Sequence, residues 1–210
     1  LGSGSIYAST FTNSGAISGA NGIVVGGTAH LTSLIMISTF GGGISNSGTI
    51  VVRGAGIEVG GFASSNSSVT ISTFSGGITN SGTISMTSAP GDGIFIGGTA
   101  VNNSSFALST FAGGIVNAGT IVAGASGDGI QISNVSTFLG GITNTGSITA
   151  GVGTAGTNAG AVSIYDAGFI AGTGGIAVDL RNTGPGNTFT LGTTYSFGAG
   201  TEFVLGSGSD

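Results

Sequence analysis

The sequence predicts an all-β fold, a parallel β-helix solenoid with three short strands per coil and roughly seven to nine coils. The first observation behind this prediction is a phrase, I-x-N-x-G-x-I, that recurs along the 210 residues. Its asparagines are Asn13, Asn46, Asn80, Asn117 and Asn144, and a sixth copy carries Asp166 in that place. Successive copies lie 33, 34, 37, 27 and 22 residues apart, which is typical of a repeat architecture. The uneven spacing predicts that insertions lie in loops while each phrase keeps its internal spacing.

The second observation is that each full repeat contains three short extended segments. In one repeat these are residues 44–50, which form the phrase, residues 56–59, and residues 69–74, which end in Ser-Thr-Phe. All are rich in β-branched residues and are bounded by Gly, Asn or Ser, as β-strands are. No window carries an apolar stripe at helical spacing that is free of glycine or β-branched residues. A propeller is disfavoured because each of its blades needs four antiparallel strands.

Stacking of equivalent residues explains the side chain at each repeated position, because neighbouring coils of a β-helix lie ~4.8 Å apart. Two inward columns are expected at Ile44, Ile78, Ile115 and Ile142, and at Ile50, Ile84, Ile121 and Ile148. An aromatic stack is expected at Phe40, Phe74, Phe111 and Phe138, and a structural ladder at Asn46, Asn80, Asn117 and Asn144. In the ladder each amide donates to the side-chain carbonyl one coil away, and the glycine two residues later makes the bend.

The chain is predicted to be a single β-helix segment over residues 1–210, regular over 1–183 and shorter and less regular over 184–210. In the first copy Phe11 takes the isoleucine position of the phrase. In the tail, apolar pairs alternate at period two and predict three more strands. These pairs are Phe189 and Leu191, Tyr195 and Phe197, and Phe203 and Leu205. We expect the segment to be part of a longer chain.

Composition limits the possible functions. The chain has 46 glycines but only 2 prolines, and the glycines do not fall on every third position, which excludes collagen. A net charge of −5 with only Arg53 and Arg181 as cations cannot neutralise a run of phosphates, so neither nucleic acid nor anionic lipid is an expected partner. The absence of cysteine excludes disulfides and thiolate metal sites. No stretch has the ~18 apolar residues of a membrane helix, so this segment is not expected to insert into a membrane.

Four phrases carry a resemblance to a known class of protein. "GGITNSGTI", "GDGIFIGG", "GGIAVDLRNTGPGNTFTLG" and "GTEFVLGSGSD" resemble the passenger region of autotransporters, the repetitive surface proteins of Gram-negative bacteria. The resemblance covers essentially the whole chain. It implies a right-handed parallel β-helix and an extracellular location on the outer cell surface of a Gram-negative bacterium. These phrases specify fold and export route rather than an activity.

Two carboxylates are the strongest candidates for chemistry. Asp92 and Asp128 occupy the same slot in successive Gly-Asp-Gly-Ile turns. Adjacent coils would bring them to about 5 Å, which suits a retaining glycosidase pair or a calcium ion that needs several oxygen ligands. The same slot holds Asn21 and Ala55 in earlier repeats, and Asp suits such a turn on backbone grounds alone. We therefore expect no catalytic residue, metal or cofactor, with polysaccharide binding or cleavage and weak calcium binding as open alternatives.

The remaining candidates carry less chemistry. The single histidine, His30, has no second histidine or cysteine to share a metal, and no Ser-His-Asp set can be assembled. A row of threonines offers a remote ice-binding alternative and consists of Thr39, Thr73, Thr110 and Thr137. The leading expectation is a non-enzymatic structural or adhesive surface module, a stiff rod or a subunit of an extracellular filament. Its expected partners are other copies, joined end to end, or other surface polymers, and the sequence specifies no host or matrix ligand.

Overall fold

The computed structural model describes residues 5–7, 9–88, 90–158, 160–172, 176–199 and 202–206. Within them the chain forms 26 β-strands and no helix. The strands pair in parallel in four sheets, which we name A to D, and the chain passes through the sheets in that order. The parallel β-helix predicted from the sequence is therefore confirmed.

Each sheet takes one strand from each coil that it crosses. Sheet A contains β1 (Ser5–Tyr7), β5 (Leu34–Phe40), β9 (Ser68–Phe74), β13 (Ser105–Phe111) and β17 (Val135–Phe138). Sheet B contains β2 (Phe11–Asn13), β6 (Ile44–Asn46), β10 (Ile78–Asn80), β14 (Ile115–Asn117), β18 (Ile142–Asn144), β21 (Ser163–Asp166) and β24 (Thr188–Leu191). Sheet C contains β3 (Ala16–Gly19), β7 (Thr49–Val52), β11 (Thr83–Met86), β15 (Thr120–Val122), β19 (Ser147–Thr149), β22 (Phe169–Ala171) and β25 (Ser196–Phe197). Sheet D contains β4 (Ile23–Ala29), β8 (Ile57–Ala63), β12 (Ile94–Ala100), β16 (Ile130–Ser133), β20 (Val152–Ala155), β23 (Ile176–Asp179) and β26 (Glu202–Val204).

The described part of the chain forms seven coils, because sheets B, C and D each contain seven strands. This number lies within the predicted range. The first five coils have four strands each, whereas the last two lack a strand in sheet A. The additional strand arises because each repeated phrase forms two strands instead of one. In the second coil the phrase turns after Asn46, so that β6 lies in sheet B and β7 lies in sheet C.

Glycine makes this turn possible because the backbones of successive coils nearly touch there. A Cβ added at Gly48 would lie 2.0 Å from the carbonyl oxygen of Gly15 in the preceding coil. Gly82 has the same relation to Gly48, again at 2.0 Å. The Thr49 N–H donates to the Gly15 carbonyl at 2.8 Å, which holds the two coils at this separation. No side chain fits at either glycine without a backbone shift.

The core consists of the columns expected from the repeat. Both isoleucine columns are in register and buried. In the aromatic stack the ring centroids of Phe40, Phe74, Phe111 and Phe138 are separated by 5.0, 5.0 and 5.2 Å. Phe11 lies opposite Ile44 as predicted, and its ring also stacks on Phe40 at 5.9 Å. Each buried side chain of this size contributes about 1.5 to 3 kcal/mol, so the columns are a main source of stability.

The tail continues the same solenoid. The three strands predicted there are present as β24, β25 and β26, in sheets B, C and D. Phe203 packs against Phe189 with ring centroids 4.9 Å apart and against Phe197 at 4.8 Å. This aromatic cluster occupies the place of the aliphatic columns in the last coil.

The long repeats carry an extension that was expected to be a loop. The strands β4, β5, β8, β9, β12 and β13 have seven residues each, whereas the equivalent β16 and β17 have four. The extra residues form a three-layered flange, a name we use for residues 26–37, 60–71 and 97–108. The flange has its own small core of Ala29, Ala63 and Val69, against which Ile35 and Phe106 pack. The insertions are therefore strand extensions that bury apolar side chains, and only the four residues between each pair of strands form a turn.

We predict that Gly82→Ala lowers the free energy of unfolding by about 2 kcal/mol or more, because its Cβ would meet the Gly48 carbonyl. Gly15→Ala is the matched control. Gly15 holds the same place in the first phrase, yet a Cβ there would meet nothing within 4 Å. Thermal unfolding followed by circular dichroism should show a large decrease for the first variant and a change within about 0.5 kcal/mol for the second. Equal effects of the two substitutions would contradict the close approach of the coils.

Candidate functional site

The most regular polar feature is a ladder of side-chain amides at the corner between sheets B and C. Each Nδ2 donates to the Oδ1 of the next coil. The bonds run from Asn13 to Asn46 (2.7 Å), Asn46 to Asn80 (2.7 Å), Asn80 to Asn117 (2.8 Å), Asn117 to Asn144 (2.8 Å) and Asn144 to Asp166 (2.7 Å). All members from Asn46 onward are fully buried. The predicted ladder is confirmed, and it extends by one residue at each end.

Each ladder amide also holds its own turn. The Asn46 Nδ2 donates to the Gly48 carbonyl at 3.3 Å, and the Asn80 Nδ2 donates to the Gly82 carbonyl at 3.4 Å. Both hydrogens of the amide therefore have acceptors, one along the rod axis and one across the corner. The ladder is consequently part of the packing and leaves no amide group available to a ligand.

The ladder ends at a carboxylate. Oδ1 of Asp166 accepts from the Asn144 amide and from the Gly168 N–H, but its buried Oδ2 has no hydrogen-bond partner in the described part of the chain. In the next coil the residue in register is Leu191, which has no polar side-chain atom. An ionised carboxylate can accept hydrogen bonds but cannot donate one. It therefore suits only the last position of the ladder, where the next coil offers no side-chain acceptor.

Asp92 and Asp128 lie together on the turns that precede two strands of sheet D. The Asp128 N–H donates to the Asp92 Oδ1 at 2.9 Å, and the Gln131 Nε2 donates to the Asp128 Oδ2 at 3.0 Å. A Cβ added at Gly153 would lie 2.3 Å from that same Oδ2, so this glycine leaves room for the carboxylate. The Asp92 carboxylate thus joins two successive coils, whereas the Asp128 carboxylate accepts from a side chain of its own coil.

Burial raises the pKa of all three neighbouring carboxyls. It raises the pKa of Asp128 to about 6, opposed by the Gln131 hydrogen bond and assisted by the charges of Asp92 and Asp179. Burial also raises the pKa of Asp92, opposed by the hydrogen bond from the Asp128 backbone. The pKa of Glu58 is raised by burial and by the charge of Asp92. We name Glu58, Asp92 and Asp128 the acidic row; burial raises the pKa of every member.

Among the described residues no group of three or more His, Cys, Asp or Glu side chains could hold a metal ion. The nearest additional carboxylate, Asp179, is paired with Arg181 at 2.5 Å. Calcium binding and glycosidase chemistry at Asp92 and Asp128 stay predictions.

The other candidates from the sequence lie apart from this row. His30 lies at a tip of the flange, where its Nδ1 hydrogen-bonds with the Ser64 Oγ and its ring meets Phe62 edge-on at 5.9 Å. The threonine row is in register on sheet A and half-buried, with members Thr39, Thr73, Thr110 and Thr137. Its alignment is confirmed, and ice binding stays a prediction.

Two asparagines of structural importance were not identified from the sequence. Asn158 is nearly buried and its Oδ1 accepts from the Val135 N–H at 3.0 Å. Asn187 likewise accepts from the Val162 N–H at 2.9 Å. They lie where sheet A has ended, and they replace hydrogen bonds that a further strand would make. The sequence offers little indication of their role, because both asparagines lie outside the repeated I-x-N-x-G-x-I phrase.

Two shallow recesses lie on the surface of the described residues. One, of about 200 Å³, is lined by Thr143, Tyr165 and Thr190 of sheet B together with neighbouring backbone. The other, of about 360 Å³, lies against the flange and is lined by Gly98, Ala100, Ser104, Ser105, Phe106 and Asn134. Neither includes the ladder or the acidic row.

Comparison of the chain with protein-family models, curated proteins and solved structures gives no match. Across the described residues, no helix has the length and apolar character needed to span a membrane. Function therefore has to be inferred from the geometry and from the sequence phrases.

We predict opposite effects for the same exchange at two rungs of the ladder. Asp166→Asn should raise the free energy of unfolding by about 1 kcal/mol, because it replaces the unpartnered Oδ2 with an amide that can reach the Gly168 carbonyl. Asn80→Asp should lower it by about 3 kcal/mol, because the Asn117 Oδ1 loses its donor and faces a carboxylate oxygen. Urea unfolding of both variants measures this difference. A loss of stability in Asp166→Asn equal to that in Asn80→Asp would contradict the terminal role of Asp166.

We also predict that the folded protein gains stability as the pH falls from about 7 to about 5. The pKa of Asp128 is higher in the folded state than in the unfolded state, so the folded state binds this proton more tightly. Stability is therefore lost as the pH rises from about 4 through about 6 and stays lower above that range. Asp128→Asn should remove about 1 kcal/mol of the stability difference between pH 7 and pH 5, after allowance for the partial exposure of this carboxyl. Melting temperatures that are equal at both pH values in the parent protein would contradict the burial of this carboxylate.

Proposed function

We propose that the chain is a non-enzymatic structural and adhesive module, a stiff β-helical rod displayed outside a Gram-negative cell. The observation that carries this proposal is the ladder of five side-chain hydrogen bonds from Asn13 to Asp166. The ladder employs the most distinctive polar residues of the repeat in holding coils together. What the repeat specifies is therefore rigidity along one axis.

The stiffness has three independent sources that act in the same direction. Parallel backbone hydrogen bonds join each coil to the next in three or four sheets. The ladder adds a line of short bonds at one corner, and the phenylalanine rings stack with planes within 2 to 4° of parallel. Bending the rod would stretch at least one of these lines, which suits a spacer or stalk.

The distribution of charge suits adhesion to neutral surfaces. The strands of sheets A, B and C carry no charged residue except the buried Asp166. The other charged side chains described lie on strands of sheet D or on the turns next to them, namely Arg53, Glu58, Asp92, Asp128, Asp179 and Arg181. Three sides of the rod therefore present hydroxyl and methyl groups, which can contact uncharged polymers without electrostatic repulsion.

A Gram-negative surface location is supported by the sequence phrases that resemble autotransporter passengers. The long, low-charge repeat without cysteine is consistent with that resemblance. As a filament subunit the rod would act through contact with further copies, and as an adhesin through contact with another surface.

A carbohydrate-active site is the second candidate function. The raised pKa of Asp128, at about 6, favours it because a general acid needs such a value. The Asp128 carboxylate already accepts from Gln131, and Asp92 accepts from the Asp128 backbone. These bonds serve the fold, so the structural role ranks first.

The proposal is tested by displaying the chain on a non-adherent Gram-negative host through an export carrier. We expect adhesion to neutral polysaccharide and to plain surfaces above that of the carrier alone, and weaker adhesion from the destabilised variant Asn80→Asp. Asp92→Asn and Asp128→Asn should adhere as the parent does. In parallel, the purified chain is incubated with a glycan panel. Cleavage by the parent that Asp128→Asn abolishes would replace our proposal with the enzymatic one, and adhesion no greater than that of the carrier would remove its adhesive part.

A further inference from the structure

The flange ends abruptly part-way along the rod. Its third layer is β12 and β13, and no fourth layer covers it in the part of the chain that the structure describes. The next coil pairs with β12 only over Ile94 to Gly97, and with β13 only at Leu108, Thr110 and Phe111. Residues 98–100 and 105–107 therefore pair with the second layer alone. This leaves an open sheet edge on the side that faces the last three coils.

The hydrogen-bonding direction of this open edge follows from its neighbours. The Val101 N–H donates to the Ala63 carbonyl and the Ser105 N–H donates to the Ser67 carbonyl, so both point to the second layer. Backbone groups alternate between the two sides along a strand, so those of Ala100 and Phe106 point to the open side. Gly98 also points there, and its carbonyl accepts from the Asn134 Nδ2 at 3.0 Å.

The open edge also exposes the end of the flange core. Val69 of the second layer is fully buried, whereas Phe106 directly over it is only half-buried. Phe106 and the exposed Ala100 line the recess of about 360 Å³. A partner that supplied one more layer would bury both side chains and pair both strands.

We propose that this edge pairs with the same edge of a second copy of the chain, related by a twofold axis. The rotation about this axis reverses both the rod axis and the direction in which the flange projects. It therefore places β12 of one copy antiparallel to β12 of the other, and β13 of one copy antiparallel to β13 of the other. Both pairs form at once, because the separation of the two strands is the same in each copy. Such an interface is isologous and needs no second binding surface. The rods then lie antiparallel, with the last three coils of each beyond the tip of the other flange.

Charge and geometry both favour a second copy of the chain as the partner at the open edge. Residues 26–37, 60–71 and 97–108 contain no Asp, Glu, Lys or Arg, so two flanges can meet although the chain has a net charge of −5. A second copy in the same orientation cannot pair here, since its rod would occupy the space of the last three coils. The contact is short, so the dimer should be weak and should depend on concentration. This inference does not rest on the adhesive function proposed above.

Sedimentation velocity from micromolar to millimolar concentration tests the interface. We expect the parent chain to pass from monomer to dimer over this range. Ala100→Lys places like charges across the twofold axis and should raise the dissociation constant at least about tenfold. Ala118→Lys adds the same charge at an exposed corner away from the flange and should dimerise as the parent does. Circular dichroism checks that both variants stay folded.

Two further measurements identify the contact. A mixture of Ala100→Lys and Ala100→Glu should recover dimerisation, because opposite charges then meet. Since the chain has no cysteine, a spin label on Ala100→Cys reports one distance per dimer, which should be much shorter than that from a label on Ala118→Cys. A parent chain that stays monomeric at millimolar concentration would overturn the proposal. Equal dimerisation of the two lysine variants would overturn it as well.

Discussion

The register between successive coils is the constraint on which the rest of the structure depends. Parallel pairing one coil apart places each residue over its equivalent at about 4.8 Å. Only side chains that are compatible with a copy of themselves at that distance can repeat. Isoleucine packs on isoleucine, a phenylalanine ring stacks flat on the next, and an asparagine amide both donates and accepts along the axis. Aspartate can only accept when ionised, and it occurs once in the ladder, at Asp166, where no further rung follows.

The same constraint explains why so few residues are charged. A charged residue in an outward column would face its own copy one coil away, and two like charges at that distance repel by about 1 kcal/mol even in water. The chain has 4% charged residues, and its outward columns carry Ser, Thr and Val instead. Where carboxylates do approach one another, at Asp92 and Asp128, the pKa of Asp128 rises to about 6, although burial contributes more than repulsion. The stacking of the repeat is therefore sufficient to explain the neutral surface, without any adaptation to a partner.

Stacking also determines how much of the structure the sequence can predict. The isoleucine columns, the rings from Phe40 to Phe138 and the amide ladder could be predicted, because a repeated residue identifies its own neighbours. The division of each phrase into two strands could not, since the corner at Gly48 depends on how closely the backbone of another coil approaches. The flange was missed because its residues vary between repeats, and only the pairing of Ile35, Val69 and Phe106 reveals its core. The Asp92 and Asp128 turns were predicted to be adjacent, but the hydrogen bonds that engage both carboxylates were not.

Positions where a column breaks are the places at which such a rod can acquire individual chemistry. A repeated residue is constrained by the copies above and below it, so it has little freedom to serve another purpose. Phe106 interrupts an aliphatic column of the flange at the point where the layers stop, and Asn134 donates to a single carbonyl of the flange edge, that of Gly98. Gly153 interrupts the outward column of sheet D and accommodates the Asp128 carboxylate. Each break removes a neighbour that stacking would have supplied, and the groups left uncovered are the ones that can meet another molecule.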